Sequence, residues 1–270
     1  MLVASIHNQR VEASTAQKGP SYICPGCGSS VILKKGTVVI HHFAHKTKTN
    51  CVWAKGETRE HMWAKNYLAQ SLQHMGWQAF VEYSLNIPLG DRRADVATYT
   101  DQNQYIAFEI QHSSIGLTEI AQRAAAYASQ NIAQLWIPII KADVWRGAIR
   151  KGSNCYVVEK FPASKYLRWI HGFAGGHGMW MFDPVDNAYW LGKLTDYIIN
   201  VPVTSWREGG EEQSGGGFSK RAKRWKNLTL IGPYQLNQLA ISIDYRKEFR
   251  TPQYHWPAGA IVRLVPINPQ

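Results

Sequence analysis

The chain is short of cysteine, short of acid and free of long apolar runs, and each shortage excludes a class of protein. Its 270 residues hold four cysteines, at positions 24, 27, 51 and 155, too few for a disulfide-stapled secreted scaffold. No stretch approaches the ~20 apolar residues that a membrane span needs. The opening MLVASIHNQRVEAS lacks an apolar run of signal-peptide length, so the expectation is a cytoplasmic protein with no membrane contact. Asp plus Glu number 19 against 30 Lys plus Arg, a formal charge of +11. A soluble chain this basic is usually matched to a polyanion, most commonly nucleic acid. What is present is ordinary core material: a 45% hydrophobic share excludes wholesale disorder, and the length suffices for one large domain or two small ones. Eleven Trp and thirteen Tyr include rings able to stack on bases, although a core absorbs most such residues.

Composition divides the chain. Residues 1–55 form a Cys/His-rich segment with short β-type runs. Residues 56–150 alternate helical and strand patterns. Residues 151–208 are rich in Trp, Gly and Pro, and 209–270 begin with the glycine-rich stretch Gly209–Gly217, expected to be a flexible linker, and carry a basic tail. In the middle region, Met62, Tyr67, Leu68 and Leu72 recur at helical spacing, predicting a helix from Glu57 to about Met75 that Gly76 ends. Three strands are expected at Gln78–Leu85, Arg93–Tyr99 and Tyr105–Gln111, separated by the turns Pro88-Leu89-Gly90-Asp91 and Asp101-Gln102-Asn103. A second helix is expected from Leu117 to about Gln130 and a buried strand over Ala133–Ile140, so the order reads αβββαβ.

Two acids occupy related places in this pattern. Asp95 sits early in one strand and Glu109 late in the next, and in an antiparallel pair those ends are neighbours, so both carboxylates can reach one point. Gln111, two residues on, shares the face of Glu109. A lone acid in a strand is more often a solvated edge. Here, however, Ile106, Phe108 and Ile110 alternate around Glu109, and a carboxylate in such surroundings needs a cation or donor to compensate its desolvation. Mg²⁺ needs few protein oxygens, so Asp95, Glu109 and the carbonyl of Ile110 suffice as ligands, with Gln111 placed to hold an attacking water. Glu57, His61 and Lys65 follow at i, i+4 and i+8 on one helix face. From there Glu57 can extend the metal site, while His61 and Lys65 can meet a phosphate. Taken alone, that face reads better as a solvated one.

Together these segments resemble the CoiA-like competence nucleases. The residues concerned are Tyr22-Ile23-Cys24-Pro25-Gly26-Cys27-Gly28, His41-His42-Phe43-Ala44-His45, Gly56-Glu57 with His61 and Lys65, Arg93-Ala94-Asp95-Val96, Glu109-Ile110-Gln111 with Ser113, and Arg123 with Tyr127. The resemblance covers roughly residues 20–140. It implies an α/β (α+β) fold with a restriction-endonuclease-like αβββαβ core of the PD-(D/E)xK superfamily, an N-terminal zinc-binding β segment and a Trp/Gly-rich C-terminal region. It further implies a Mg²⁺- or Mn²⁺-dependent nuclease acting on DNA, with roles in DNA uptake, recombination or mobile-element processing. On it, Asp95 and Glu109 are metal ligands, Gln111 stands where the wider superfamily has Lys, and Lys65 or a second metal makes up the missing charge. Arg93, Arg123 and Tyr127 join His61 as nucleic-acid contacts. The alternatives are a catalytically inactive DNA-binding module on the same scaffold, or a junction resolvase.

The cysteines have their own reading. Cys24-Pro25-Gly26-Cys27 is a turn that aims two thiolates at one ion; with Cys51 and a histidine they make the four N/S ligands of a structural Zn²⁺ site. His45 is the first choice of histidine and His42 the alternative. Cys155 stands alone and reads as core. In the C-terminal third, Trp169, Phe173, Trp180, Phe182, Tyr189 and Trp190 suggest either core or a docking surface for a protein partner. Lys220, Arg221, Lys223, Arg224 and Lys226 crowd around Trp225, which suits contact with a phosphate backbone, or a solvated tether.

Overall fold

The computed structural model describes residues 1–47, 49–51, 53, 57–85, 87 and 92–268; Gly56 and the expected turn Pro88–Asp91 lie outside them. Five short strands open the chain: β1 Val3–Ile6, β2 Gln9–Glu12, β3 Tyr22–Ile23, β4 Ser30–Lys34 and β5 His42–His45, joined in the order β2-β1-β3-β4-β5. The core beneath this sheet is small. It consists of Met1, Ala4, Ala13, Ala16, Tyr22, Cys24, Val31 and Phe43, and its three alanines bury little apolar area.

Helix α1 (Arg59–His74), strands β6 (Phe80–Leu85), β7 (Arg92–Tyr99) and β8 (Tyr105–Gln111), helix α2 (Leu117–Ala128) and strand β9 (Ala133–Pro138) follow in the expected order. Thr58 starts α1, its hydroxyl accepting the His61 N–H at 3.2 Å, a cap worth about 1 kcal/mol. Met62, Lys65, Leu68, Ala69 and Leu72 form the helix's buried stripe, and Gly76, at φ +87°, lets the chain turn away. Strands β6, β7 and β8 pair antiparallel, whereas β9 joins β8 in parallel, which requires the crossover that α2 provides. Val96, Ile106, Phe108 and Ile110 pack with α1, while Ala94, Ala97 and Ala107 pack with Ala126 and Tyr127 of α2.

The C-terminal part is built as β10 Ala148–Arg150, β11 Cys155–Phe161, β12 Met179–Asp183, β13 Ala188–Val201, β14 Thr204–Glu208, β15 Glu211–Gly215 and β16 Phe218–Tyr234, with helices α3 (Ala142–Arg146) and α4 (Lys165–Phe173). Its main sheet runs β10-β11-β16-β13-β12. Strands β17 (Leu239–Arg246) and β20 (Gly259–Pro266), with the short pair β18 (Phe249–Arg250) and β19 (His255–Trp256) between them, end the chain. Here β20 lies parallel beside β9 and β17 antiparallel beside β20, so the central sheet has six strands, β17-β20-β9-β8-β7-β6.

Two expectations change. The glycine-rich stretch expected as a linker is a hairpin: Gly209 and Gly210 both have positive φ, the turn that a two-residue loop between twisted strands needs. The basic tail is part of the 17-residue strand β16. Trp169, Phe173, Trp180, Phe182, Tyr189 and Trp190 are all buried and form core, not a docking face. No described helix is long and apolar enough to cross a membrane.

Candidate active site and metal centre

Strands β7 and β8 pair as far as Val96↔Phe108. The next positions along that register are Asp95 and Glu109, where the strands part. Asp95 fills the gap: its Oδ2 accepts the Ile110 N–H at 2.9 Å, satisfying a backbone donor that the ladder leaves free. The same oxygen lies 3.2 Å from His61 Nε2, and Oδ1 lies 3.9 Å from Lys65 Nζ. Asp95 is therefore held on the α1 side of the sheet.

Ordinary alternation would not put it there. Ala94 and Ala97, three apart, both pack toward α2, so Asp95 and Val96 both turn toward α1. The facing strand breaks step at the matching place. Glu82, between Val81↔Val96 and Tyr83↔Ala94, has φ +47°, a conformation that costs a non-glycine residue about 1–2 kcal/mol. The reward is a second carboxylate on the α1 side: Glu82 Oε1 accepts from Lys65 Nζ at 2.5 Å and Oε2 accepts the Leu2 N–H at 2.9 Å. Glu82 is 1% exposed, and sequence reading missed it. An acid in an amphipathic strand looks like an edge residue, and nothing local announces a paired break in two strands.

Lys65 is the hub. It is fully buried and donates to Glu57 as well as Glu82. Arg93 adds weaker pairs, 3.8 Å from Glu57 and 3.6 Å from Glu82, and the Met1 amino group lies 2.9 Å from Glu57. Burial alone would lower the Lys65 ammonium's pKa, but Glu82, Glu57 and Asp95 outweigh it and hold it above its ordinary value. Burial would likewise raise Asp95 and Glu57, yet His61 and Lys65 pull the first well below the carboxylate range, and Lys65 and the Met1 amino group do the same for the second.

Depressed carboxylates contribute stability above their unfolded pKa and lose it as pH falls through the folded one. The contribution of Glu57 and Asp95 to the unfolding free energy should therefore hold from neutral pH down to the ordinary Glu and Asp values of 4.5 and 3.8 and decline steadily below them. Urea titrations across that range would check it; a flat profile would show that these carboxylates are not ionised partners in the fold.

Glu109 lies on the other side of the sheet from Asp95. Arg123 Nη2 donates to its Oε2 at 2.6 Å and the Tyr127 hydroxyl donates to Oε1, both from one face of α2. Burial raises the Glu109 pKa more than Arg123 lowers it, and the nearby charge of Asp95 adds to the rise. Two assignments change accordingly. Tyr127 and Lys65 are fully buried, so neither reaches a nucleic-acid phosphate: Tyr127 orients Glu109, and Lys65 neutralises the carboxylates. His61, Arg93 and Arg123, with side chains 18%, 21% and 25% exposed, remain on the rim. The half-buried Gln111, at the end of β8, donates its Nε2 to the Ser113 carbonyl.

In the N-terminal sheet, one donor atom each from Cys24, Cys27, His45 and Cys51 lies within 4.8 Å of the others. Cys24 Sγ is 3.7 Å from Cys51 Sγ, and Cys27 Sγ is 3.3 Å from His45 Nε2. A tetrahedral zinc with Zn–S near 2.3 Å sets its sulfurs roughly 3.8 Å apart, so this Cys₃His cluster can hold zinc with little movement. His42 is not part of it; its Nδ1 sits 2.9 Å from the Ile40 carbonyl. Cys155 lies in β11, half-buried and away from the cluster. The knuckle also touches the carboxylate network. Trp53 packs so closely on Gly26 that a Cβ there would come within 2.3 Å of the ring, and the Arg93 guanidinium stacks on Trp53 at 4.3 Å.

A β segment whose Cys₃His cluster can hold a metal leads into a mixed sheet with buried acids on adjacent strands, an arrangement compatible with a nuclease-like domain. Comparison with known families agrees: residues 57–159 match "Competence protein CoiA, nuclease-like domain", and residues 5–54 match "Competence protein CoiA, N-terminal domain". The two matches are consecutive and together cover over half the chain, which therefore belongs to the CoiA-like competence nuclease family. No curated protein and no solved structure matches it.

Proposed function

We propose that the chain is a Mg²⁺- or Mn²⁺-dependent deoxyribonuclease that hydrolyses phosphodiester bonds on a PD-(D/E)xK-type core. The observation that carries this reading is that Asp95 and Glu109 occupy adjoining register positions where β7 and β8 part, one on each side of the sheet, inside a nuclease-like family domain. The donor set fits a hard divalent ion, being all oxygen. Glu109 is a buried carboxylate whose raised pKa marks charge that a further cation would compensate. Asp95 from the α1 side, Glu109 from the α2 side and the Ile110 carbonyl would hold that ion in the gap where the two strands part; a strand residue's C=O leaves the same edge as its N–H, and the Ile110 N–H meets Asp95. Bound there, the metal would polarise the phosphodiester and acidify a water.

The protein's own groups supply the rest. Gln111, fixed through Ser113, offers its amide oxygen to orient the attacking water. His61 and Arg93 on the rim meet the DNA backbone, and Arg123 with Tyr127 holds Glu109 in one orientation. Lys65 is taken up by Glu57, Glu82 and Asp95, so the charge missing at Gln111 falls to the metal.

Glu109→Ala should abolish Mg²⁺-stimulated cutting of labelled linear, circular and single-stranded DNA, a loss of at least about 1000-fold for a metal ligand, with zinc content retained. Cutting by the variant at the parental rate would exclude Glu109 from the site. No cutting by the zinc-loaded parent in either metal would overturn the nuclease reading itself.

A further inference from the structure

The long strands β13 and β16 outrun their sheet. Strand β12 follows β13 only to Met179↔Gly192, and β11 follows β16 only to Phe161↔Lys226. Beyond Asp196↔Lys226 the two continue alone to Val201↔Phe218 and carry the β14–β15 hairpin at their tip. Residues 197–225 thus form a two-stranded arm whose side chains are mostly exposed. A free ribbon of this kind is only marginally stable in water.

The pairing in the arm is irregular in one place. Between Asp196↔Lys226 and Ile198↔Arg221, Tyr197 alone faces the four residues Ala222, Lys223, Arg224 and Trp225. A bulge bends its strand and re-aims its side chains, and this one is basic. Asp196 is the local acid and is already taken by Lys226 at 2.5 Å and Arg221 at 3.2 Å. Lys220, Lys223 and Arg224 are exposed and have no carboxylate partner among the described residues. The tip has the opposite sign: Glu208, Glu211 and Glu212 face a single Arg207.

The rings on the arm are only partly engaged, Trp206 and Phe218 being 47% and 53% exposed. Trp225 carries Arg224 at 4.6 Å and Lys160 at 5.5 Å from its ring centroid. Trp206 lies over Gly215 and donates to Glu208 at 3.3 Å. Single-strand binders stack bases on open aromatic faces; Trp206 lies on the acidic hairpin and Phe218 carries Lys220 at 5.9 Å from its ring centroid, so neither exposed ring lies on the basic bulge. Three uncompensated cations on a ribbon narrow enough for a duplex groove suit the phosphate backbone of double-stranded nucleic acid instead.

We propose that residues 197–225 are an arm that binds the backbone of double-stranded DNA through Lys220, Lys223 and Arg224, with the acidic tip projecting past the duplex. The choice of DNA rests on the nuclease reading above; the phosphate chemistry does not.

The test is equilibrium binding of the zinc-loaded full chain, with no added Mg²⁺ or Mn²⁺, to a duplex several helical turns long, to a single strand of equal length and to phosphatidylglycerol vesicles. Lys220→Ala/Lys223→Ala/Arg224→Ala should weaken duplex binding at least about tenfold and flatten the slope of log K against log salt by about 3, close to one per lost phosphate contact. The charge-keeping triple Lys220→Arg/Lys223→Arg/Arg224→Lys should bind as the parent does, which separates charge from folding. Unchanged affinity and slope in the alanine triple would overturn the proposal, as would tighter parental binding to single strands or to vesicles than to duplex. If the alanine triple loses binding while the parent cuts nothing, the arm stands and the nuclease reading falls. If cutting survives with unchanged duplex affinity, the reverse holds.

Discussion

Lys65→Met is expected to destabilise the fold by about 3–5 kcal/mol, the range found when one partner of a buried ion pair is removed. The side chain is fully enclosed, with its ammonium on Glu57 and Glu82 and 3.9 Å from Asp95. Met fills much the same volume, so the loss is electrostatic: three acids that shared one cation are left with Arg93, at 3.6–3.8 Å from two of them, the Met1 amino group and His61. Urea unfolding should show the midpoint falling with little change in slope. Adding Glu82→Gln removes one orphaned charge, so Lys65→Met/Glu82→Gln should recover part of the loss, a positive coupling that a double-mutant cycle measures. If Lys65→Met is neutral and the cycle is additive, the buried network contributes nothing to stability and Lys65 is held there for another reason.

The network also shows where the sequence was readable and where it was not. Residues 59–138 follow local rules. The inward stripe of α1 repeats at helical spacing, and β8 begins at Tyr105 and ends at Gln111 as its alternation predicts. The Cys₃His set follows from ligand chemistry, because a CxxC turn fixes two thiols and few other N/S donors lie nearby. Glu82 follows from neither. Its role depends on a left-handed residue in one strand and a missed alternation at Asp95 in the other, and together they bring to α1 a carboxylate that a regular strand would send to the opposite face. That same irregularity separates Asp95 from Glu109 across the sheet, where strand register alone suggested a shared point.

The remaining gaps are long-range. Strand β20 reaches β9 through Ile261↔Gln134, a pairing with no signature in either segment, and it draws chain from beyond the family's nuclease-like match into the nuclease sheet. Compositional bias misread residues 209–217 because glycine marks flexible linkers and two-residue hairpins alike. The β-paired flanks and the positive φ at Gly209 and Gly210 decide between them. Arg123 and Tyr127 entered through the family resemblance as nucleic-acid contacts and not as partners of Glu109, since a basic or phenolic side chain looks the same whether it meets a phosphate or a buried acid.

Removal of zinc should have the widest effect on the N-terminal sheet. Eight buried side chains, three of them alanines, make up its core, too few to hold five short strands, whereas zinc binding in peptides of comparable size supplies about 10 kcal/mol or more at neutral pH. Cys24→Ser, which replaces a buried thiolate ligand with a poor one, is expected to drop zinc to well under one equivalent and to abolish amide-exchange protection across β3, β4 and β5. Protection in α1, β8 and β9, whose cores are separate and larger, should persist. The damage should still cross the boundary between them. Leu2 donates to Glu82, and Trp53 links Gly26 to Arg93, so loosening the knuckle withdraws two supports from the carboxylate network. Cutting should therefore fall about tenfold or more even in saturating Mg²⁺, in line with the loss expected when groups that orient a site are removed. Intact protection in β3–β5 without zinc would show that the sheet stands on its own packing and that the cluster is not structural. Lost protection with unchanged cutting would show that the knuckle and the carboxylate network are independent.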